Sequence, residues 1–288
     1  MSGTAVPAQG VDGPAPSAPE EPSSVVRLRI RFAKQGKVCW TSHRDVARMW
    51  ERALRRSGLP VAWSEGFSPH PLLSFGLALP TGCASRAEYL DVRLDVSPTV
   101  AAGGVGPDTD PWVGDGWTEK VSELPELLSA LLPAGVEVQA TAAVRHGTRS
   151  LQQDVTSCSW ELEVLGVATE KLAERVERLL DAPSITIRRE RKGRTVEDDL
   201  RPSVLALTLV PGANDAIEDT PRCLRAELAT HPRGVRPGEL LEGLGADLVL
   251  ARACRTHQWI ERDGARREPL DIGEEPGAAA PHAQERAS

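Results

Sequence analysis

Val25-Val26-Arg27-Leu28-Arg29-Ile30-Arg31-Phe32 opens the first apolar stretch of this 288-residue chain, and charged residues alternate in it with apolar ones. A period of two is typical of a β-strand that buries one face. A helical pattern follows at about residues 42–57, where Ser42 is the expected N-cap and Asp45 stands three positions beyond it. Gly58 and Pro60 mark the end of this helix. A strand followed by an amphipathic helix favours an α+β fold.

The same order of elements occurs twice along the chain. Further strands are predicted near residues 61, 72–79, 88–96 and 136–144, with a helix at 118–132 before the last of them. The second half has predicted strands near 159–165, 185–189, 204–210, 224–229 and 252–260, with helices at 170–180 and 237–244. Each half has the β-α-β-β-α-β order of the ferredoxin-like pattern. We therefore expect two tandem ferredoxin-like sandwiches, spanning residues 25–150 and 151–262.

The two ends of the chain differ in composition from these halves. Residues 1–24 and 263–288 are rich in Pro, Ala, Gly and charged residues, and each segment carries a net charge of −3. Such segments cannot bury enough apolar surface to fold, so both are predicted to be disordered tails. Because the whole chain has a net charge of −7, the stretch between the tails is nearly neutral. The net negative charge of the whole chain therefore does not exclude an anionic partner for the stretch between the tails.

The sequence excludes several kinds of site. No run approaches the roughly 18 apolar residues that cross a bilayer, and the N-terminus lacks the basic and apolar regions of a secretory signal. We therefore expect a cytoplasmic protein without membrane contact. The five cysteines are widely spaced and never form a C-x-x-C pair, so neither disulfides nor a metal site is expected. Walker A, G-x-G-x-x-G and G-x-S-x-G motifs do not occur.

The predicted helix at 42–57 has one strongly basic side. At 100° per residue, one side is apolar and the other carries five arginines and two acids. The members of the basic side are Arg44, Asp45, Arg48, Glu51, Arg52, Arg55 and Arg56. Three interpretations stay open: a solvated amphipathic helix, a phosphate-binding face, or a surface that docks on an acidic protein.

The loop after this helix reads Trp63-Ser64-Glu65-Gly66-Phe67-Ser68-Pro69-His70-Pro71 and is expected to be stiff. Gly66 allows a turn with positive φ, and a proline on each side restricts the backbone of His70. His70 either donates to a phosphate, acts as an acid–base group, or caps a carbonyl within the turn. Phe67 either stacks on a base or packs in the core.

Other candidate residues lie near the helix and in the second half. His43, in the first turn of the helix, is a second candidate acid–base group, with a hydrogen-bonded structural role as the alternative. Glu88 and Asp91 could pair with the helix arginines and make part of the basic network structural. The basic run at 188–194 is either a solvated hairpin or, with Arg201, Arg252 and Arg255, part of a cleft between the halves.

The run SHRDVARMWERALRRSGLPVAWSEGFSPHPLLSFGLALPTGCASRAEYLDVRL, residues 42–94, resembles the radical-SAM-linked family of unknown function, DUF2344. The later Asp199-Leu200-Arg201-Pro202 is similar to its D-x-R-P element, and Arg255-Thr256 to its closing arginine. Arg44 stands where the family usually has Leu, and Ser57 where it usually has Ala. The positions that match the motifs of the first run are Ser42, His43, Asp45, Arg52, Ala53, Arg55, Arg56, Leu59, Pro60, Ser64, Gly66, Phe67, Pro69, His70, Pro71, Gly82, Ser85, Glu88 and Asp91.

The resemblance implies a partner, because the family is often encoded beside, or fused to, a radical SAM protein with a cobalamin-binding region. This chain has no C-x-x-x-C-x-x-C motif, so the iron–sulfur cluster, SAM and cobalamin are expected in that partner. We expect a non-catalytic accessory protein that binds an anionic substrate such as RNA or tRNA. The alternatives are an RNA-cleaving or RNA-modifying enzyme that uses His43 or His70, and a protein-interaction module. The expected anion-binding residues are Arg48, Arg52, Arg55, Arg56, Phe67, His70, Arg201 and Arg255.

Overall fold

The computed structural model describes residues 25–96, 116–144, 148–191, 193–211 and 220–270, so the predicted tail at 1–24 lies outside the described residues. The first half contains β1 (Val25–Lys34), α1 (His43–Arg56), β2 (Leu73–Phe75), β3 (Ala84–Asp95), α2 (Gly116–Leu131) and β4 (Val136–Val144). The second half contains α3 (Leu151–Asp154), β5 (Ser157–Leu165), α4 (Thr169–Asp181), β6 (Thr186–Arg191), β7 (Arg194–Asp199), β8 (Val204–Val210), β9 (Arg222–Ala229), α5 (Pro237–Leu244), β10 (Val249–Arg262) and β11 (Ala265–Arg267). Two 3-10 turns occupy Gly36–Trp40 and Arg201–Ser203.

Nine strands form one large, mostly antiparallel sheet, which confirms the predicted α+β class. The order is β4-β1-β3-β10-β5-β9-β8, while β2 pairs with β3 and β11 with β10. Strands β6 and β7 form a separate hairpin. The two halves meet where β3 and β10 run parallel, with Ala84 opposite Cys254 and Ser85 opposite Arg255. The halves therefore lie side by side in one continuous sheet.

The two largest apolar clusters of the described residues are centred one on each half. In the first, Leu28, Ile30 and Phe32 of β1 are at most 1% exposed and pack with residues of α1, α2, β3 and β4. In the second, Trp160 and Leu162 of β5 pack with residues of α4, α5, β8 and β9. The apolar side chains of β1 enter the core as the alternation predicts. The strand is not half-buried, however, because Arg29 and Arg31 on its other face are only 3% and 5% exposed.

The predicted start of the C-terminal tail at residue 263 is too early. Residues 265–267 form β11, which pairs antiparallel with β10, and Leu270 packs against a small cluster of Ala87, Tyr89 and Leu151. The carboxylate of Glu268 lies 2.9 Å from Nη1 of Arg31. A three-residue strand is stabilised by its pairing rather than by its own sequence, so composition does not reveal it. Residues 271–288 lie outside the described residues.

Candidate functional site

Helix α1 lies within one residue of its predicted limits because polar side chains cap both ends. Oγ of Ser42 accepts a hydrogen bond from the backbone N–H of Asp45 at 3.2 Å and donates one to the Asp45 carboxylate at 2.7 Å. The hydrogen bond that the Ser42 hydroxyl donates to the carboxylate holds the pKa of the Asp45 carboxyl below its usual value. At the other end, the hydroxyl of Ser57 donates to the carbonyl of Leu54 at 2.9 Å. The short range of these bonds explains why the sequence predicts the helix well.

The apolar side of α1 anchors the helix on the sheet. Val46, Trp50, Ala53 and Leu54 are buried, and the ring of Trp50 meets that of Phe32 edge to face with centroids 5.0 Å apart. This contact fixes the rotation of the helix about its axis. The basic side therefore faces solvent, as the 3.6-residue period predicts.

The arginines of α1 have few partners within the fold. Arg48 lies 3.5 Å from Asp45, and both side chains are about half exposed. Arg55 places its guanidinium 4.6 Å from the ring centroid of Trp63 and donates to the carbonyl of Pro69 at 3.4 Å. Among the residues that the structure describes, no carboxylate lies within 4.0 Å of Arg44, Arg52 or Arg56.

The loop at residues 63–71 closes on itself through its own hydrogen bonds. The backbone N–H of Ser64 donates to the carbonyl of His70 at 2.9 Å, and the N–H of His70 donates to Oγ of Ser64 at 3.1 Å. Trp63 and Pro71 form an isolated bridge below them, and Gly66 has a φ of +113°, as its position predicts. The ring Nδ1 of His70 lies 2.8 Å from the carbonyl of Ser68. Because a carbonyl only accepts, Nδ1 carries the proton and Nε2 is the nitrogen left for a ligand.

Two aromatic side chains project from this loop into solvent. Phe67 is fully exposed and Trp63 is 38% exposed, so the core alternative for Phe67 is wrong. No pattern in the sequence assigns a role to Trp63. Its contact with Arg55 depends on how the loop folds back toward α1, although a tryptophan beside a Gly-Pro loop is a usable signal. We call the exposed side chains of α1 and of this loop the α1–loop surface; its members are Arg48, Arg52, Arg55, Arg56, Trp63, Phe67 and His70.

The other predicted anion-binding arginines are not on this surface. Arg255 is 2% exposed, and its guanidinium donates to the carboxylate of Glu88 and to the carbonyl of Leu77. Arg201 donates to the carbonyls of Leu180 and Val204, so it ties α4 to β8. Both arginines have their donors occupied within the fold and serve as internal links in this structure.

Glu88 and Asp91 do not pair with the arginines of α1. Glu88 takes Arg255 as its partner, and Asp91 accepts two hydrogen bonds from the buried guanidinium of Arg29 at 2.8 and 2.9 Å. Both acids lie on β3, and β3 also pairs with β1 and β10. The sheet therefore supplies their partners, and the basic side of α1 keeps its surplus of charge.

The basic run at 188–194 is a hairpin that contains its own counter-charges. Arg188 and Arg189 on β6 form ion pairs across the hairpin with Glu197 and Asp198 on β7. Asp198 also meets Arg233, and these arginines hold the pKa of its carboxyl below the usual value. This cross-strand pairing favours the solvated-hairpin interpretation over a shared basic cleft.

A narrow crevice lies beside the N-terminal end of α1. It encloses about 20 Å³, which is room for one water-sized group, and its lining includes Lys34, His43, Phe75, Leu77 and Glu88. Phe75 holds the ring of His43 edge to face, with centroids 4.9 Å apart. At the floor, Lys34 is 4% exposed and its Nζ donates to the carbonyls of Cys39 and Thr41, each at 3.3 Å. Burial lowers the pKa of this ammonium group.

The crevice joins His43 to residues that the sequence does not single out. Lys34 stands two positions after Phe32, but the register of β1 against β3 shifts between these two residues, so the alternation does not predict its burial. Gly82, one of the motif positions, has a φ of +88° and would place a Cβ 3.0 Å from the ring of Trp40.

Within the described ranges, no group of three or more His, Cys, Asp or Glu residues could hold a metal ion. No described helix is long and apolar enough to cross a membrane.

The family described as "Uncharacterized protein conserved in bacteria (DUF2344)" matches residues 27–103 and 117–237. The chain belongs to this family. The match contains all of α1, the loop at 63–71 and the residues that line the crevice, whereas Arg255 lies beyond its end. The features of the α1–loop surface thus fall inside the DUF2344 match.

No curated protein matches the chain. A chain in the "Crystal Structure of a Cbf5-Nop10-Gar1 Complex" is similar with a TM-score of 0.42 and 10% sequence identity, over 80% of this chain and 48% of that one. This chain therefore spans about half the length of that solved chain.

Proposed function

We propose that this member of DUF2344 is a non-catalytic accessory protein that binds RNA, with tRNA as the first candidate, through the α1–loop surface. The observation that carries the proposal is the position of Arg52 and Arg56, which are exposed without a carboxylate within 4.0 Å among the described residues. They share the surface with the Arg55–Trp63 stack and the exposed ring of Phe67. The radical SAM partner, which would supply the cluster, SAM and cobalamin, rests on the family resemblance alone.

The chemistry of the surface suits an RNA with unpaired bases. The planar guanidinium donates to two phosphate oxygens at once, and arginines three or four positions apart on a helix follow one line. A base stacked on an exposed aromatic ring gains about 1–3 kcal/mol. His70 adds one N–H or acceptor at Nε2 close to these rings. Because the loop is stiff, it loses little conformational entropy when RNA binds, which strengthens the binding.

Salt-dependent binding of the full chain to single-stranded RNA tests this proposal. Each phosphate contact adds about 0.7 to the slope of log K against log salt, so the double variant Arg52→Ala with Arg56→Ala is expected to bind more weakly and with a lower slope. Arg188→Ala is the matched control, because Arg188 is an exposed arginine on the hairpin with its own counter-charge. No RNA affinity, or an equal slope in the double variant and the wild type, would contradict the proposal.

A second candidate function is an RNA-cleaving or RNA-modifying enzyme. It is favoured by one observation, the placement of His43 beside the buried Lys34 and Glu88 in the crevice. Incubation of purified protein with bulk RNA discriminates the two candidates, because turnover that His43→Ala abolishes would support the enzyme. Co-purification of a protein partner after nuclease treatment, without RNA affinity, would instead support an interaction module.

We also propose that each half is a ferredoxin-like unit. The support is the strand order, which is β4-β1-β3-β2 in the first half and β10-β5-β9-β8 in the second. In both cases the first and third strands of the unit are central, and helices connect the first to the second and the third to the fourth. The units would share one sheet through β3 and β10. Proteolytic or expressed fragments 25–150 and 151–270 that each fold would support this division.

A further inference from the structure

Buried positive charge exceeds buried negative charge around the crevice, which Lys34 and Glu88 line and where Arg255 binds Glu88. Lys34 and Arg255 are cations that are 4% and 2% exposed, and the carboxylate that both approach is that of Glu88. Arg255 lies 2.6 Å from Oε1 of Glu88, so this pair is closely neutralised. Lys34 is left with two carbonyl oxygens as its hydrogen-bond acceptors. An ammonium group buried without a counter-charge is costly, even when carbonyls solvate it.

Among the residues that the structure describes, the other groups whose charges act on Lys34 do not supply the missing negative charge. The side chains whose charges act on Lys34 are Glu88, Cys39 and Cys83. Burial raises the pKa of both thiols, so they stay protonated near neutral pH. The surplus is therefore about one unit of buried positive charge, and it lies at the bottom of a crevice that opens to solvent.

The shape of the crevice limits what can approach Lys34. About 20 Å³ admits one oxygen atom of a larger group, and the rest of that group would stay at the mouth. His43 stands at this mouth, with its ring held by Phe75. The first turn of α1 also begins here, but it contains the Asp45 carboxylate, and Ser42 already caps the backbone N–H of Asp45. An anion would thus meet Lys34 at the floor and His43 at the rim.

We propose that the crevice binds a terminal phosphoryl group, with Lys34 as the buried counter-charge and His43 as the donor at the mouth. A terminal phosphoryl group fits because it projects one oxygen inward and still presents two to the rim. An internal phosphodiester cannot do so, because two of its oxygens continue into the chain. This site is separate from the α1–loop surface and does not depend on RNA binding there.

Inorganic phosphate is the probe for a first test on the full chain. Millimolar phosphate is expected to raise the midpoint of thermal unfolding in a saturable way, in comparison with chloride at equal ionic strength. Lys34→Met is expected to abolish this shift and His43→Ala to weaken phosphate binding several-fold. Lys171→Met, which removes an exposed lysine of α4, is the matched control and should keep the full shift.

A second measurement keeps the test valid if Lys34→Met changes the fold. Without phosphate, this variant is expected to unfold at a higher denaturant concentration than the wild type, because it removes an unpaired buried charge. Equal stabilisation of the wild type and Lys34→Met by phosphate would show a general salt effect and overturn the proposal. Stabilisation by acetate but not by phosphate would overturn the assignment of the ligand class.

The terminal position of the phosphoryl group is tested with nucleotides. Adenosine monophosphate is expected to stabilise the wild type with the same dependence on Lys34 as phosphate, whereas adenosine should have no effect. An equal effect of adenosine would contradict the proposal, because it lacks the anionic group. Binding of RNA to the α1–loop surface can fail or succeed independently, since Arg52→Ala with Arg56→Ala leaves the crevice intact.

Discussion

Two sets of arginines in this molecule have opposite surroundings. Arg52 and Arg56 of α1 are exposed, and within the described part of the chain no carboxylate lies within 4.0 Å of them. Four arginines of the sheet are at most 5% exposed, and three of them form an ion pair with a carboxylate. These buried pairs are Arg29 with Asp91, Arg31 with Glu268, and Arg255 with Glu88.

The difference follows from the cost of removing a charge from water. A buried guanidinium must be paired, whereas an exposed one is solvated and can stay single. The guanidinium groups of Arg29 and Arg255 therefore bind carboxylates within the fold, whereas Arg52 and Arg56 have no such partner among the described residues and can bind an external anion. Lys34 departs from the rule of the buried set, because Glu88, the carboxylate whose charge acts on it, is already paired with Arg255. That exception is the reason to expect a ligand in the crevice.

Removal of one member of a buried pair should have the largest effect. Glu88→Gln leaves the guanidinium of Arg255 without a counter-charge, so the free energy of unfolding is expected to fall by about 3 kcal/mol. Urea unfolding followed by circular dichroism measures this change. The double variant Glu88→Leu with Arg255→Met should recover part of the loss, since it removes both charges. A loss below about 0.5 kcal/mol for Glu88→Gln would show that the buried pair is not what stabilises this position.

A smaller, pH-dependent effect on stability is expected at His257, which lies near Arg31 of the buried set. Burial, with Arg31, Arg86 and Arg266 nearby, lowers the pKa of His257 below its ordinary value of 6.5. The unfolded chain therefore binds a proton more readily, and the stability contributed by neutral His257 is lost as the pH falls below about 6.5. Unfolding free energies measured between pH 7 and pH 5 should decline less steeply in His257→Gln. An unchanged slope in that variant would contradict this account.

Changes in the exposed set should have the smallest effect on stability. Arg52→Ala with Arg56→Ala is expected to change the free energy of unfolding by less than about 0.5 kcal/mol, because neither side chain has a partner to lose among the described residues. Thermal unfolding of the double variant beside the wild type is the measurement. A loss above about 1 kcal/mol would mean that these arginines support the fold and would weaken the comparison between the two sets.

The sequence predicts best those features whose causes lie within a few residues. The caps at Ser42 and Ser57, the apolar side that buries Trp50 and the positive φ of Gly66 all follow from local patterns. The roles of Arg201 and Arg255 were not predictable in this way. Their partners stand up to 178 positions away along the chain, as for the bond from Arg255 to Leu77, and no local pattern indicates such a contact.

Residues 25–32 and 42–57 by themselves determine a strand with one apolar face and a helix with one basic side, because periodicity and capping act over a few positions. Only the tertiary structure decides which basic residues are buried. The parallel contact between β3 and β10 brings Arg255 to Glu88, and the same arrangement leaves Lys34 with a surplus charge at the floor of the crevice. The physical reason is that burial and pairing depend on which strands become neighbours, and strand neighbours are set by contacts distant in sequence.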